Sequence, residues 1–168
     1  MSAKPPFAHV AIIGLGLIGS SIARAVRDAM PDVTLSGFDA DAAARATARD
    51  LGLADTIPDS AADAVVEADL VIFCVPVGAM GKAAADLRSG LKAEALISDV
   101  GSSKANVLAE LQAALPDHAI IPAHPVAGTE RSGPEAGFAS LFKGRWCIIT
   151  PPDGADTGKL AALTAFWE

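Results

Sequence analysis

Short, nearly continuous apolar runs alternate along this chain with longer stretches whose apolar residues recur at helical spacing. Phe7 to Ile13 is one such run, ends at glycine, and reads as a strand covered on both faces. Ile18, Ile22, Ala23 and Val26 then repeat with helical periodicity up to Met30, and Pro31 closes the helix. Val33 to Phe38 reads as a second strand ending at Asp39. Asp41 to Leu51 is an Ala- and Arg-rich helix, with Gly52 suited to its C-terminal end. Ser60 can cap a short helix running to Glu67. Leu70 to Val75 is a β-branched strand stopped by Pro76, and Gly78 to Leu91 is helical. Ala95 to Val100 is a further strand, followed by the turn Gly101-Ser102-Ser103.

Lys104 to Leu115 carries Val107, Leu108 and Leu111 on one face and reads as an amphipathic helix. Ala119 to Pro122 is a short strand. Ala123 to Lys143 is Gly/Pro-rich with few periodic apolar residues, and a loop of that length inside a domain is usually functional or mobile. Arg145 to Thr150 is the last strand, and a helix starts at Gly158 and runs to Glu168. Strands alternating with helices predict an α/β fold: a doubly wound, Rossmann-like, mainly parallel sheet with helices on both faces. The expected organisation is one dinucleotide-binding domain over residues 1–168, a length sufficient for a real core.

Composition narrows the function classes. Apolar residues make up 51% of the chain and aromatics only 5%, which favours aliphatic α/β packing over an aromatic-rich sandwich. The net charge of −7 and the absence of a Lys/Arg cluster argue against nucleic acid as a partner. Cys74 and Cys147 each lie within an apolar run and are expected to be buried thiols. No metal-ligand spacing occurs, so no metal is expected. Met1 to Pro6 is short and polar and has no export-signal pattern. No apolar segment approaches the roughly 18–20 residues that span a bilayer. A cytoplasmic protein with no membrane partner is expected.

The loop Gly14-Leu15-Gly16-Leu17-Ile18-Gly19 carries the first chemical signal. It follows a strand, opens a helix, and precedes an acidic residue, Asp39, by 20 positions. Gly14 permits a tight turn, Gly16 lets backbone approach a pyrophosphate, and Gly19 lets helix and strand pack closely. The helix start around Leu17 and Ile18 offers free N–H groups to phosphates. Asp39 would accept hydrogen bonds from ribose hydroxyls and repel a 2′-phosphate, favouring NAD over NADP. Arg45 on the following helix could soften that preference. A glycine turn binding no dinucleotide remains the plain alternative.

Two further strand ends, Val75-Pro76 and Gly101-Ser102, belong on the carboxyl edge, where open α/β sheets bind ligands. Either could equally be an ordinary turn, with Ser102 or Ser103 as an N-cap. His124 opens the run His124-Pro125-Val126-Ala127-Gly128-Thr129-Glu130-Arg131-Ser132-Gly133-Pro134, at the end of a predicted strand. A histidine there is suited to proton transfer near neutral pH. His9 and His118 read instead as surface residues without a role.

Taken in order, GLGLIGSS, CVPV, DVGSSK and HPVAGTERSGPEAGFASLFKG resemble the prephenate and arogenate (cyclohexadienyl) dehydrogenases of tyrosine biosynthesis. The resemblance runs from Val10 to the last helix. It implies an NAD-dependent oxidative decarboxylation, giving 4-hydroxyphenylpyruvate from prephenate or tyrosine from arogenate. It implies catalytic roles for His124, as base toward the ring hydroxyl, and for Ser102, which would orient that hydroxyl and His124. Thr129 would lie near the substrate and Glu130 at the mouth of the site. It also implies a C-terminal helical domain, absent from this chain, that makes a homodimer and supplies the arginine for the substrate carboxylate. Neither Arg131 nor Arg145 matches that arginine. The chain would then hold the cofactor half of the site and be poorly active alone. Two other readings compete: the NAD-binding domain of a β-hydroxyacid-type dehydrogenase, and a non-catalytic NAD-binding module.

Overall fold

The computed structural model describes residues 4–168. In chain order the elements are β1 (His9–Ile13), α1 (Leu17–Ala29), β2 (Thr34–Phe38), α2 (Ala42–Asp50), α3 (Ala61–Val65), β3 (Leu70–Phe73) and α4 (Met80–Leu87). They continue as β4 (Leu96–Asp99), α5 (Lys104–Ala114), β5 (Ala119–Ile120), β6 (Ala123–Pro125), β7 (Cys147–Ile149) and α6 (Thr157–Trp167). The first five strands form one parallel sheet in the order β2-β1-β3-β4-β5.

The period of two along β1 explains the layers. Val10 and Ile12 face a core shared with Ile22 and Val26 of α1, Ala48 of α2, and Leu163 and Phe166 of α6. Ala11 and Ile13 face a second core built with Val65 of α3, Met80 and Leu87 of α4, and Val107 and Leu111 of α5. The central strand is thus buried on both faces, as its unbroken apolar sequence requires. Each large aliphatic side chain buried there contributes roughly 1.5–3 kcal/mol. The doubly wound α/β expectation holds.

Local signals explain the element ends. Asp41 caps α2 by accepting the N–H of Ala43, and Ser60 caps α3 by accepting that of Asp63. Gly52, at φ +62°, ends α2: its N–H reaches the Arg49 carbonyl, and the Leu53 N–H reaches that of Ala48. These paired bonds form a Schellman cap. Asp156 caps α6 through the Lys159 N–H.

Several segments differ from expectation. β3 stops at Phe73; Cys74 still donates to the Ile13 carbonyl, but Pro76 has no N–H with which to extend the ladder. The helix expected over 78–91 is shorter, with 3-10 turns at Val77–Ala79 and Arg88–Gly90 flanking α4. The segment from Ala123 to Lys143 is not all loop. β6 pairs antiparallel with β7, His124 standing opposite Ile148, so the last strand lies outside the main sheet. Three-residue strands and proline within β6 carry too little period-two pattern to be legible.

Candidate functional site

The loop between β1 and α1 sits at the carboxyl end of the central strand, beside the end of β3. Strand order reverses around β1, the position at which open α/β sheets bind their ligands. Gly14 has φ +97°, and a Cβ on it would stand 2.5 Å from the Cys74 carbonyl oxygen. At Gly19 a Cβ would fall 1.9 Å from the Gly14 carbonyl oxygen. Both positions therefore require glycine for close backbone approach. Gly16 is different: a Cβ there would meet nothing within 4 Å. It occupies the N-cap of α1 and has no side chain to cap the helix. The first N–H groups of α1, including those of Leu17 and Ile18, therefore lack a side-chain acceptor at an open surface. That arrangement fits an anionic phosphate group.

Asp39 stands at the end of β2, facing this loop. Its Oδ2 accepts the Leu15 N–H at 2.8 Å and its Oδ1 accepts the Asp41 N–H at 2.9 Å. The carboxylate thus fixes the glycine loop and has little freedom to swing aside. Arg45, on α2, reaches back to the same strand end. It donates to the main-chain oxygen of Asp39 at 2.8 Å and to Asp59 at 3.1 Å, and lies 5.4 Å from the Phe38 ring centroid. Nε and Nη1 of Arg45 are engaged in this way, and no hydrogen bond from its Nη2 joins it to the described residues.

His124, on β6, is half-buried beside the end of β4. Its Nδ1 lies 3.1 Å from the Val100 carbonyl oxygen. Only a protonated ring nitrogen can donate to that oxygen, so the neutral imidazole carries its lone pair on Nε2. Ser102 is exposed two residues beyond Val100, and no hydrogen bond joins it to His124. Ser103, at the N-cap of α5, makes no side-chain cap either. Val75 and Pro76 follow the carboxyl end of β3, and Gly101 follows that of the neighbouring β4. Cys147, next to β6, is partly buried. Burial pushes its thiol up to about 11, partly offset by the main chain of His124 and the charge of Lys104. Burial also pushes the Cys74 thiol well above the ordinary range.

The Gly-rich segment after β6 is tied down at both ends. Val126 donates to the Trp146 carbonyl, and Phe138 donates to Ser21 Oγ of α1 at 3.1 Å. A Cβ on Gly137 would stand 2.1 Å from Ser20 Oγ, so the chain there lies against α1. Thr129 and Glu130 are exposed on the intervening loop; Thr129 Oγ1 accepts the Arg131 N–H.

Sequence reasoning missed the buried pair Asp99–Lys104, although an aspartate ending an apolar strand signals that a partner must exist. It also passed over Ser20 and Ser21, polar residues at buried helical positions. His9 and His118 are not free surface groups. His9 Nε2 lies 3.0 Å from Ser36 Oγ, and His118 Nε2 lies 3.1 Å from the Lys92 carbonyl oxygen.

Sheet order, glycine loop and acidic strand end together define a Rossmann-like nucleotide-binding domain. The chain belongs to the prephenate dehydrogenase nucleotide-binding-domain family, whose model matches residues 22–168. It is 50% identical over 162 residues to the cyclohexadienyl dehydrogenase of Zymomonas mobilis, covering 96% of this chain and 55% of that protein. A crystal structure of prephenate dehydrogenase from A. aeolicus, in complex with hydroxyphenyl propionate and NAD+, superposes with TM-score 0.86 at 29% identity. That match covers 99% of this chain and 57% of the other. Synechocystis arogenate dehydrogenase matches with TM-score 0.85 at 25% identity, over 94% and 55% of the two chains. The chain thus spans about half the length of the relatives it matches. These matches favour the cyclohexadienyl reading over the β-hydroxyacid alternative.

Proposed function

We propose that this chain is the cofactor-binding part of an NAD-dependent enzyme that oxidatively decarboxylates prephenate, arogenate or both. The observation that carries the reading is His124, with Nδ1 held by the Val100 carbonyl and Nε2 left as an acceptor beside the carboxyl edge of the sheet. A 4-hydroxycyclohexadienyl substrate needs such a base for its ring hydroxyl. The relative that superposes with hydroxyphenyl propionate and NAD+ supports both the ring and the cofactor.

Gly14, Gly16, Leu17, Ile18 and Gly19 would hold the pyrophosphate. Asp39 would meet the ribose, and Val75, Pro76 and Gly101 would flank the nicotinamide end. NAD+ supplies the hydride acceptor when bound. His124 Nε2 takes the proton of the ring hydroxyl as its carbon becomes carbonyl-like, and Ser102 holds the same hydroxyl in line. Loss of the ring carboxylate as carbon dioxide leaves an aromatic phenol: 4-hydroxyphenylpyruvate from prephenate, tyrosine from arogenate. Thr129 and Glu130 would line the mouth of the site.

Further substrate contacts would come from sequence of the kind that fills the other half of the relatives' length. There we also place the groups that grip the carboxylate and those that make a homodimer. Free thiols at Cys74 and Cys147 fit a reducing, cytoplasmic setting. Among the described residues no helix is long and apolar enough to cross a membrane.

Calorimetry of this chain with NAD+ and NADP+, together with NADH formation from prephenate, tests the proposal. NAD+ binding with a clear preference over NADP+, and little turnover, is expected. Absence of NAD+ binding contradicts the cofactor assignment, and full turnover by these 168 residues contradicts the half-site.

A further inference from the structure

The Asp99 side chain is fully buried and that of Lys104 is 17% exposed. Lys104 Nζ donates to Asp99 Oδ2 at 2.5 Å and to the Ala123 carbonyl at 2.6 Å. Asp99 Oδ2 also accepts the Gly101 N–H at 2.8 Å, and its Oδ1 accepts the Ala123 N–H at 3.3 Å. Ala123 is therefore gripped at both of its main-chain polar groups, and it immediately precedes His124. Gly101 immediately precedes Ser102. Between Asp99 and Gly101 stands Val100, whose carbonyl holds His124 Nδ1.

A buried ion pair stabilises little compared with well-packed apolar residues, because both charges must leave water. This pair joins three segments that apolar side chains would not fix in register: the end of β4, the start of α5 and the edge of β6. A Cβ on Gly101 would stand 3.1 Å from Asp99 Oδ2, so glycine lets the turn close over the carboxylate. Burial lowers the Lys104 ammonium from its ordinary range, and the Asp99 carboxylate opposes that shift. From this geometry we infer that Asp99 and Lys104 are a positioning pair. They fix the orientation and tautomer of His124 and the placement of Ser102, without themselves touching substrate. The inference rests on His124 and Ser102 being the groups that meet substrate.

Long-range nitrogen–proton correlation spectra of the histidine-labelled chain report which ring nitrogen of His124 carries the proton. His124→Asn identifies the signal by its loss. Lys104→Met removes one partner, and Asp99→Asn/Lys104→Met removes both charges so that no carboxylate is left buried alone. In the parent, His124 is expected as the Nδ1–H form. In both variants it should shift toward the Nε2–H form that free imidazole favours, while NAD+ affinity changes less than about threefold, since the glycine loop is untouched. An unchanged His124 signal in either folded variant overturns the inference. Failure of both variants to fold also overturns it, by making the pair a requirement of folding. No prephenate oxidation by a longer protein would sink the dehydrogenase reading and leave this measurement standing.

Discussion

Two alanine substitutions in the glycine loop should separate packing from binding. At Gly19 the added Cβ would lie 1.9 Å from a main-chain oxygen, against an ordinary contact of about 3.4 Å, so loop and helix must part by about 1.5 Å. Both partners are backbone, so no side chain can rotate away. Overpacking of this kind costs roughly 1–3 kcal/mol, which for a domain of this size lowers Tm by roughly 2–12 °C. Misplacing the N-terminus of α1 by ~1 Å or more should weaken NAD+ binding by about 100-fold, by analogy with misplaced catalytic geometry. Gly16 has φ −75° and open space where the Cβ would go. Gly16→Ala should therefore hold Tm within about 2 °C, yet weaken NAD+ by at least ~10-fold, or about 1.4 kcal/mol, by occupying the phosphate's approach. Scanning calorimetry and titration calorimetry read the two effects. A Gly16→Ala protein that melts as early as Gly19→Ala, or binds NAD+ like the parent, would show that the two glycines do not divide packing from binding.

Asp39→Ser should raise the ratio of NADP+ to NAD+ affinity by at least ~10-fold in direct titrations; an unchanged ratio removes Asp39 from cofactor selection. Burial lowers the His9 imidazole from its ordinary 6.5, so the unfolded chain takes up the proton first as pH falls. Its contribution to stability is full above 6.5 and is lost as pH falls through that value toward the folded pKa. Tm profiles of the parent and His9→Phe should converge on acidification, and parallel profiles would contradict this. The Cys147 thiol, raised from 9.0 to about 11, should react with a disulfide reagent at mildly alkaline pH about 100-fold more slowly than in the denatured chain. Equal rates would place the thiol in a different environment.

The main sheet was legible because its strands are buried on both faces and read as unbroken apolar runs between helical periods. Glycine spacing and Asp39 marked the β1–α1 turn for the same reason: each answers a local backbone or charge requirement. The pairing of β6 with β7 was not legible. Three-residue strands have no measurable period, and their partners lie more than 20 residues apart across a Gly/Pro-rich segment. Asp99–Lys104 escaped because sequence shows a charge near an apolar strand but not which oxygen it reaches. His9 was misread as exposed because its bond to Ser36 depends on the register of β1 and β2. Motifs carry local requirements well; long-range hydrogen bonds that orient the site appear only after folding.

His124 is proposed as the base for ring-hydroxyl oxidation in a prephenate or arogenate dehydrogenase. The most direct measurement is NADH formation from NAD+ and each substrate. It should use this chain joined to sequence of the relatives' additional length, with and without His124→Asn. NADH and carbon dioxide are expected in equal amounts from at least one substrate, with kcat reduced ~100-fold or more in the variant. No NADH from either substrate, or an undiminished kcat in His124→Asn, would contradict it.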